Sequence, residues 1–300
     1  MKKLKWIVVI LFCSSFILNL NAADPGIIIS AYQGQCNDGN FDENLKTVYR
    51  VIKMALDRKS DFLCFPETFL SGYYTKEQVL RGAVKLDDPR LTKLIKSTAN
   101  YDMVVLVGVA EKTEETMYNT QLVMYKGELL GKYSKIMLIG GDRRIGFETG
   151  KSMPVFEAKG VKFSCIICAD SSYPEPALLA RYQGAILLFS PHYNSLAIDR
   201  MDNHRIRVRN NHIGIAALTR MIVVRSNVIN VHPDRLGYGD SAIFDLNGVP
   251  LAEAPLFKET LITAEIDKET IETCKKWKYL ERFPQVLREK LANLLLFDLP

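Results

Sequence analysis

The chain has 300 residues, of which 48% are hydrophobic, and it carries 39 lysines and arginines against 34 acidic residues. An intrinsically disordered chain would contain fewer apolar residues, and a polytopic membrane protein would contain several long apolar runs. The length is enough to bury a sizeable core in one large domain or two small ones. The composition therefore indicates an ordinary globular protein.

The first 23 residues have the features of a targeting segment. Met1–Lys5 contains three lysines, Trp6–Leu20 is almost wholly apolar, and small residues follow at Ala22 and Ala23. This pattern is typical of a secretory signal peptide. An uncleaved anchor is the alternative, but the apolar run is shorter than the roughly 20 residues of a membrane-spanning helix. We predict periplasmic or secreted export, cleavage near Ala22 or Ala23, a mature domain of residues 24–300, and no other membrane association.

Cleavage at this point changes the charge and the number of cysteines. It removes three lysines and no acidic residue, so the formal net charge falls from +5 to +2. No basic stripe with interleaved aromatic residues remains, and no nucleic-acid partner is predicted. Loss of Cys13 leaves five cysteines. At least one thiol of the exported chain is then free or paired with another chain.

Short apolar runs alternate with amphipathic stretches along the rest of the chain. The predicted strands are Gly26–Ala31, Asp61–Phe65, Met103–Ala110, Gln121–Tyr125, Leu129–Ser134, Pro154–Glu157, Lys162–Cys168, Ala185–Phe189, Met221–Ile229 and Leu261–Ile266. The predicted helices are Asp42–Leu56, Pro89–Ala99, Pro174–Tyr182, Asp199–Leu218 and the chain beyond Lys268. Several neighbouring strands form hairpins. An α/β fold with one mixed sheet or two sheets, covered by helices, therefore fits better than a purely parallel sheet.

The common signatures of cofactor and metal sites are missing. No Gly-x-Gly-x-x-Gly follows a strand, and Gly131-Lys132 lacks the glycine-rich loop that precedes the lysine of a phosphate-binding loop. The four histidines are too scattered for a zinc spacing. His204 and His212 are eight positions apart on one predicted helix and are interpreted as ordinary helix residues. The sequence contains no Gly-x-Ser-x-Gly elbow, so nothing in it indicates a serine hydrolase.

Three reactive side chains lie at the C-terminal ends of predicted strands. Glu67 and Lys135 follow strands, and Cys168 ends one. Active sites of open α/β sheets form at such strand ends. A thiolate can attack a carbonyl or nitrile carbon, a carboxylate can move the proton, and an ammonium can stabilise the developing negative charge. Together the three residues make a complete covalent catalyst.

The pKa values of free side chains explain why all three groups are needed. With reference pKa values near 8.5 for cysteine and 4.3 for glutamate, transfer of the thiol proton to the carboxylate is uphill by about 4 units, or roughly 5.7 kcal/mol. Burial of the glutamate and a lysine beside the thiol both reduce this difference. Neither the carboxylate nor the ammonium would remove it alone.

Cys165 and Cys168 also form a Cys-x-x-Cys pair, which suggests redox chemistry as an alternative. Such motifs normally open a helix, whereas these two cysteines lie in an apolar strand run. Residues three apart in a strand point to opposite faces. We therefore interpret Cys165, like Cys64, as a core residue.

Four motifs follow one another in a characteristic order. They are Phe65–Tyr73, Gly131–Leu138, Cys168–Glu175, and Gly239-Asp240-Ser241 followed by Asp245-Leu246-Asn247-Gly248. These motifs resemble those of the nitrilase, or carbon–nitrogen hydrolase, superfamily, and the match covers roughly residues 26 to 270. The resemblance implies a four-layer α-β-β-α sandwich with mixed sheets, commonly dimerised, without a metal or an organic cofactor.

The resemblance also implies a role for each matching residue. Glu67 is expected to be the general base, Lys135 the oxyanion stabiliser and Cys168 the nucleophile. The backbone N–H of Ala169 is expected to be the second oxyanion donor, and Asp170 to hold the turn. Taken singly, the first three have ordinary alternatives: a solvated glutamate, a surface lysine and a buried thiol.

Three departures from the family pattern stand out. Ser172 replaces a common arginine, and Ala169 replaces the usual aromatic residue or asparagine. Many members carry a second glutamate after the lysine, but Arg143 occupies that position here. The nearest carboxylates are Asp142 and Glu148, neither at the expected offset from Gly150. Without a carboxylate to orient the lysine, the enzyme is expected to be slow, unusual in its substrate, or a degenerate binder.

Five further residues are candidates for substrate binding. Tyr73 and Tyr74 end the glutamate motif, and His192, Tyr193 and Asn194 follow the predicted strand Ala185–Phe189. All five lie near predicted strand ends, with packing at the rim as the alternative role.

These observations predict an exported, cofactor-independent amidase that forms a thioester on Cys168. Its partners are a small-molecule amide substrate and further copies of itself, in a homodimer or a larger homo-oligomer. A nitrile substrate is the less favoured choice for the same site. The alternatives are an N-acyltransferase with the same three residues and a catalytically inactive binding or scaffold protein.

Overall fold

The computed structural model describes residues 26–278 and 284–296. The strands are β1 (Ile27–Gln33), β2 (Phe62–Cys64), β3 (Val104–Lys112), β4 (Met117–Tyr125), β5 (Glu128–Ser134), β6 (Val155–Ala158), β7 (Val161–Cys165), β8 (Leu187–Pro191), β9 (Ser195–Leu196), β10 (Ile222–Ser226), β11 (Leu236–Gly237), β12 (Ala242–Phe244), β13 (Pro250–Glu253) and β14 (Thr260–Ile266). The helices are α1 (Phe41–Asp57), α2 (Lys76–Gly82), α3 (Pro89–Ser97), α4 (Gly140–Ile145), α5 (Pro174–Tyr182), α6 (Ile198–Thr219), α7 (Lys268–Lys276) and α8 (Gln285–Leu296). Two short 3₁₀ helices span Thr98–Asn100 and Cys168–Ser172.

The strands form two mixed six-stranded sheets. The first has the order β14-β1-β2-β3-β4-β5, and the second has the order β13-β12-β10-β8-β7-β6. In the first sheet β2 pairs in parallel with β1 and β3. The pairing of β1 with β14 is antiparallel, and so is the pairing of β4 with β3 and with β5. In the second, β7, β8 and β10 are parallel and the outer strands are antiparallel. Antiparallel strands at the sheet edges therefore surround a parallel centre.

The two sheets pack face to face, and helices cover their outer faces. Phe62 of the first sheet meets Phe163 of the second, with ring centroids 5.3 Å apart and planes at 75°. Helices α1 and α3 bury apolar side chains in a cluster with β3, on the outside of the first sheet. Helices α5 and α6 do the same with β8 and β10 of the second. This arrangement confirms the predicted α/β fold, an α-β-β-α sandwich with mixed sheets.

Strand direction brings distant parts of the chain to one edge of the sandwich. Because β4 is antiparallel to both β3 and β5, strands β2, β3 and β5 all run the same way. Glu67, which follows β2, and Lys135, which follows β5, therefore leave the first sheet at the same edge. Cys168 follows β7 in the second sheet, and contacts with Glu67 and Lys135 put it at the same edge.

The prediction that one strand runs to Cys168 was wrong. Strand β7 ends at Cys165, and a 3₁₀ helix begins at Cys168. One carboxylate oxygen of Asp170 accepts the Ile167 N–H at 2.8 Å and so caps the 3₁₀ helix that follows the strand. The turn lifts Cys168 out of the sheet.

Two short helices were not predicted. Helix α4 has six residues and helix α2 has seven, too few for a clear apolar period. A signal for α2 was present: Thr75 and Gln78 have the spacing of a capping box, and the Thr75 hydroxyl accepts the Gln78 N–H at 3.2 Å.

No helix in the described residues is long and apolar enough to span a bilayer. The predicted signal peptide lies outside the described residues.

Gly108 on β3 allows the loop that carries Glu67 to pack closely. A Cβ at this position would lie 2.3 Å from the Thr68 nitrogen and 2.6 Å from the Pro66 oxygen. Both are backbone atoms of the loop, so the loop itself would have to move. We expect Gly108→Ala to lower the free energy of unfolding by about 1–3 kcal/mol, the usual cost of overpacking.

Gly214 on α6 supplies the matched control for this substitution. A Cβ there meets no heavy atom within 4 Å. Gly214→Ala should therefore stabilise the protein by about 0.5–1 kcal/mol, because alanine is the better helix residue. Chemical denaturation of both variants measures the difference. Equal stabilities would contradict the close approach at Gly108.

Candidate active site

A cavity of about 330 Å³ lies at the edge where the two sheets present Glu67, Lys135 and Cys168. All three side chains line it, together with every residue predicted to bind substrate. Those are Tyr73, Tyr74, His192, Tyr193 and Asn194. The volume is at the lower end of the range for small-molecule sites, which is about 300–1,000 Å³.

Three donors hold the Glu67 carboxylate, which is 1% exposed. The Lys135 ammonium donates to Oε1 at 2.9 Å, and the Asn119 amide donates to the same oxygen at 2.7 Å. The other oxygen, Oε2, accepts the backbone N–H of Tyr193 at 2.7 Å. The carboxylate is therefore fixed in position by side chains and backbone from three different segments.

Lys135 lies between two buried carboxylates. Its Nζ is 2.9 Å from Glu67 Oε1 and 3.0 Å from Asp142 Oδ2. Burial acts to lower the pKa of Lys135, but the negative charges around it, Glu67 first and Asp142 among them, raise that pKa well above the ordinary value. The ammonium is therefore charged at neutral pH.

Of the two carboxylates considered as possible partners of the lysine, Asp142 reaches it despite its unexpected offset from Gly150. Asp142 is fully buried and bonds to Lys135, whereas Glu148, the other candidate, is exposed. The hydroxyl of Tyr73 donates to Asp142 Oδ1 at 2.7 Å, and the Ile139 N–H donates to Oδ2 at 2.9 Å. These bonds fix Asp142 in the first turn of α4. The unpredicted helix explains why the offset along the sequence was misleading.

Cys168 has a strained backbone beside the cavity. Its φ angle is +48°, in the left-handed region that residues other than glycine rarely adopt. The Sγ atom accepts a hydrogen bond from Asn194 Nδ2 at 3.5 Å and also contacts the Glu67 carboxylate. Burial raises the pKa of the thiol, Glu67 raises it further, and Lys135 lowers it. At rest the sulfur is therefore a neutral thiol.

Asp170 ties the cysteine segment to the lysine segment. Its Oδ1 accepts the Met137 N–H at 2.7 Å, and its Oδ2 accepts the Ile167 N–H at 2.8 Å. The Tyr133 hydroxyl also donates to Oδ2 at 2.7 Å. These contacts match the predicted position of Asp170 at the turn. Ala169, just before Asp170, and Ser172, two positions after it, also line the cavity.

Arg225, a fully buried residue that was not predicted to belong to the site, orients Asn194. The Asn194 Oδ1 accepts hydrogen bonds from Arg225 at 3.0 Å and from the Tyr238 hydroxyl at 3.1 Å. Because the oxygen is occupied, the amide nitrogen faces Cys168. Arg225 in turn pairs with Asp240 at 2.8 Å. An arginine inside the apolar run of β10 was the available signal for a buried polar network.

His204 and His212 lie on one helix, α6, as predicted, and His212 is buried beside His192. His212 Nδ1 donates to the Val208 carbonyl at 2.7 Å, so its Nε2 carries a lone pair. His192 Nε2 lies 3.1 Å from that atom and 3.1 Å from the Ser190 hydroxyl, while His192 Nδ1 has no partner among the described residues. Burial lowers the pKa of His212 to about 3 and that of His192 well below its usual range. Both rings are neutral, and His204 also lines the cavity.

Cys165 shows no sign of redox chemistry in this structure. It is fully buried in the core between the sheets, and burial raises the pKa of its thiol well above the ordinary value. The cysteines within residues 26–278 are all unpaired, and Cys168 alone among them is partly exposed. No group of three or more potential metal ligands was found in the described residues.

The sequence profile described as carbon–nitrogen hydrolase matches residues 28–276. The chain therefore belongs to the carbon–nitrogen hydrolase family, which confirms the resemblance seen in the motifs. The match supports a hydrolase that acts on carbon–nitrogen bonds.

Curated relatives include synthetases and amidases. A glutamine-dependent NAD⁺ synthetase of Thermotoga maritima is 30% identical over 239 residues, which cover 76% of this chain but 40% of that protein. The chain thus spans about two fifths of the synthetase. An ω-amidase of Saccharomyces cerevisiae is 26% identical over 258 residues, which cover 77% of this chain and 83% of the relative.

A solved structure supports the fold independently. The crystal structure of a carbon–nitrogen hydrolase from Helicobacter pylori superposes with a TM-score of 0.74 and 19% sequence identity. The superposition covers 90% of this chain and 98% of the other. At that sequence identity the similarity shows only that the two proteins share the sandwich fold.

Proposed function

We propose that this protein is an amidase that hydrolyses a non-peptide amide through a thioester on Cys168. The observation that carries this proposal is the meeting of Cys168, Glu67 and Lys135 in one cavity, with Lys135 Nζ 2.9 Å from Glu67 and the thiol in contact with the same carboxylate. Only side chains, backbone and water take part, so the proposed reaction is cofactor-independent.

The proposed reaction has two halves. In the first, the Cys168 sulfur bonds to the amide carbon while its proton moves to Glu67, and Lys135 with the Ala169 N–H stabilises the oxyanion. The carbon–nitrogen bond then breaks, and Glu67 returns the proton to the departing ammonia or amine. In the second half, Glu67 takes a proton from water while the water oxygen bonds to the thioester carbon. The carbon–sulfur bond then breaks, Glu67 returns the proton to the departing sulfur of Cys168, and the carboxylic acid is released.

An intact triad argues against an inactive scaffold. The scaffold alternative was based mainly on a missing second carboxylate, and Asp142 supplies one. Hydrolysis is favoured over acyl transfer because a cavity of about 330 Å³ leaves little room for a second acceptor molecule beside the acyl group.

Alkylation of the thiols tests whether Cys168 is activated. With iodoacetamide at neutral pH, Cys168 is expected to react faster than Cys36, which is buried and has a strongly raised pKa. Glu67→Gln removes both the proton acceptor and the charge that raises the pKa of the Cys168 thiol, so it should change the alkylation rate of Cys168 and leave that of Cys36 unchanged. Peptide mapping by mass spectrometry measures both rates. Equal rates for Cys168 and Cys36 would support the inactive scaffold.

A substrate panel tests the reaction itself. Ammonia release from small amides and nitriles distinguishes the two substrate classes, and amides are expected to react. If added amines were acylated and little free acid formed, the acyltransferase would be favoured. A panel without any ammonia release or acyl transfer would contradict the amidase.

We also propose that the protein is exported and self-associates. The basic and apolar residues before Ala22 and Ala23 support export, and the mass of the mature protein from native cells would identify the cleavage site. Exposed apolar side chains on the adjacent helices α5 and α6 support a homodimer: Leu179 is 47% exposed, Ile206 50% and Leu218 63%. Light scattering measures the oligomeric state.

A further inference from the structure

The side chains that line the cavity separate by charge from floor to mouth. At the floor, Glu67 and Lys135 are each 1% exposed and neutralise one another. At the solvent side the cavity is lined by Arg144, Arg207 and Arg235. Among the described residues that line the cavity, Glu67 is the only acidic one. The mouth is therefore cationic.

Two of these arginines have no partner in the part of the chain that the structure describes. Arg144 on α4 and Arg207 on α6 are exposed, and neither makes an ion pair or a side-chain hydrogen bond among residues 26–278 and 284–296. Arg205 and Arg209, which flank Arg207 on the same helix, both pair with Asp240, at 3.8 and 3.0 Å. The arginine that faces the cavity is thus the one without a carboxylate.

Arg235 is held in place at the same mouth. Its guanidinium lies over the Tyr74 ring, 5.7 Å from the centroid, and is 3.3 Å from the Asp234 carboxylate. The Tyr74 hydroxyl donates to the same carboxylate at 2.9 Å, and the Tyr74 ring stacks on His232 at 3.8 Å. Asp234 offsets part of the charge of Arg235, but it leaves Arg144 and Arg207 uncompensated.

We infer that the substrate is an amide whose far end carries a carboxylate, and that Arg144, Arg207 and Arg235 bind this group while the amide carbon meets Cys168. This inference rests on the proposed amidase function. Three elements far apart in the chain, α4, α6 and the loop before β11, each bring one cation to a single opening. Guanidinium groups bind carboxylates through paired charge-assisted hydrogen bonds. A neutral amide would leave these charges without a ligand.

Kinetics with matched substrates tests the inference. Succinamate and butanamide have similar size and the same reacting group, but only succinamate carries a charge. The wild-type kcat/KM should favour succinamate by about tenfold or more at low salt, and added salt should reduce the preference. Arg144→Gln and Arg207→Gln should each lower kcat/KM for succinamate about two- to fivefold, the range for exposed ion pairs, and should leave butanamide unchanged. The double variant should lose most of the preference.

Arg143→Gln is the matched control, because Arg143 is exposed on the same helix but does not line the cavity. It should leave the kinetics with both substrates unchanged. Hydrolysis of butanamide at least as fast as succinamate, or equal losses for both in the arginine variants, would overturn the anionic substrate and leave the amidase intact.

A binding measurement separates this inference from the amidase itself. In Cys168→Ala, ligand-observed NMR should detect tighter binding of succinamate than of butanamide, and Arg144→Gln/Arg207→Gln should abolish the difference. If succinamate binds more tightly in this way but the wild type hydrolyses no amide, the anionic site would be supported and the amidase contradicted. Equal binding of the two amides would overturn the anionic site.

Discussion

Cys168→Ala is expected to abolish amide hydrolysis, lowering kcat by about four orders of magnitude or more, while the fold is retained. Without the sulfur no thioester forms, and Glu67 and Lys135 have no nucleophile to activate. The sulfur accepts one hydrogen bond from Asn194 and contacts Glu67, and the side chain packs at the margin of the core, so alanine removes a single polar contact and little buried volume. Ammonia release under saturating substrate measures the loss, and circular dichroism verifies the fold.

Cys165→Ala is the control for this change. Cys165 lies three residues earlier, is fully buried in the core, and does not line the cavity. Its substitution should lower the free energy of unfolding by about 1 kcal/mol through lost burial and should preserve kcat. If the two variants lost activity equally, or if Cys168→Ala kept a substantial fraction, Cys168 would not be the nucleophile.

Asp142→Asn is expected to lower kcat about 10- to 100-fold, the usual effect of removing a residue that orients a reacting group. Asparagine keeps the shape and still accepts the Tyr73 hydroxyl, but it removes one of the two charges that hold Lys135. The ammonium would then be drawn toward Glu67 alone. Asp142 contacts Lys135 and is therefore a positioning residue.

The pH profile distinguishes positioning from a general loss of structure. Asp142 contributes to the raised pKa of Lys135, against the lowering effect of burial. Without the Asp142 charge that pKa falls, so the decline of kcat/KM on the alkaline side should begin at lower pH than in the wild type. Glu148→Gln, at the exposed carboxylate, should change neither kcat nor the profile. An unshifted profile for Asp142→Asn would contradict the role given to Asp142.

The three residues proposed to be catalytic could be chosen from the sequence because each belongs to a local pattern. Glu67 and Lys135 come at the ends of predicted strands within recognisable motifs. Cys168 ends an apolar run, although the strand itself ends at Cys165 and the Ile167 N–H bonds to Asp170 in the turn that follows. The order of the motifs then predicted the sandwich.

The remaining parts of the site depend on tertiary structure. Asp142 reaches Lys135 because the short helix α4 contracts the chain, and counting residues from Gly150 does not reveal this. Arg207 faces the cavity and Arg205 does not, because packing against the second sheet sets the rotation of α6. The sequence alone does not show which of several arginines on one helix is left without a carboxylate partner.

All acyl groups are expected to pass through a common thioester on Cys168. Hydroxylamine competes with water for such an intermediate. The best amide of the panel and the methyl ester of the same acid should therefore give the same ratio of hydroxamate to free acid at a fixed hydroxylamine concentration. Cys168→Ala should give neither product. Different ratios from the two substrates, or hydrolysis of both without any hydroxamate, would contradict the common thioester.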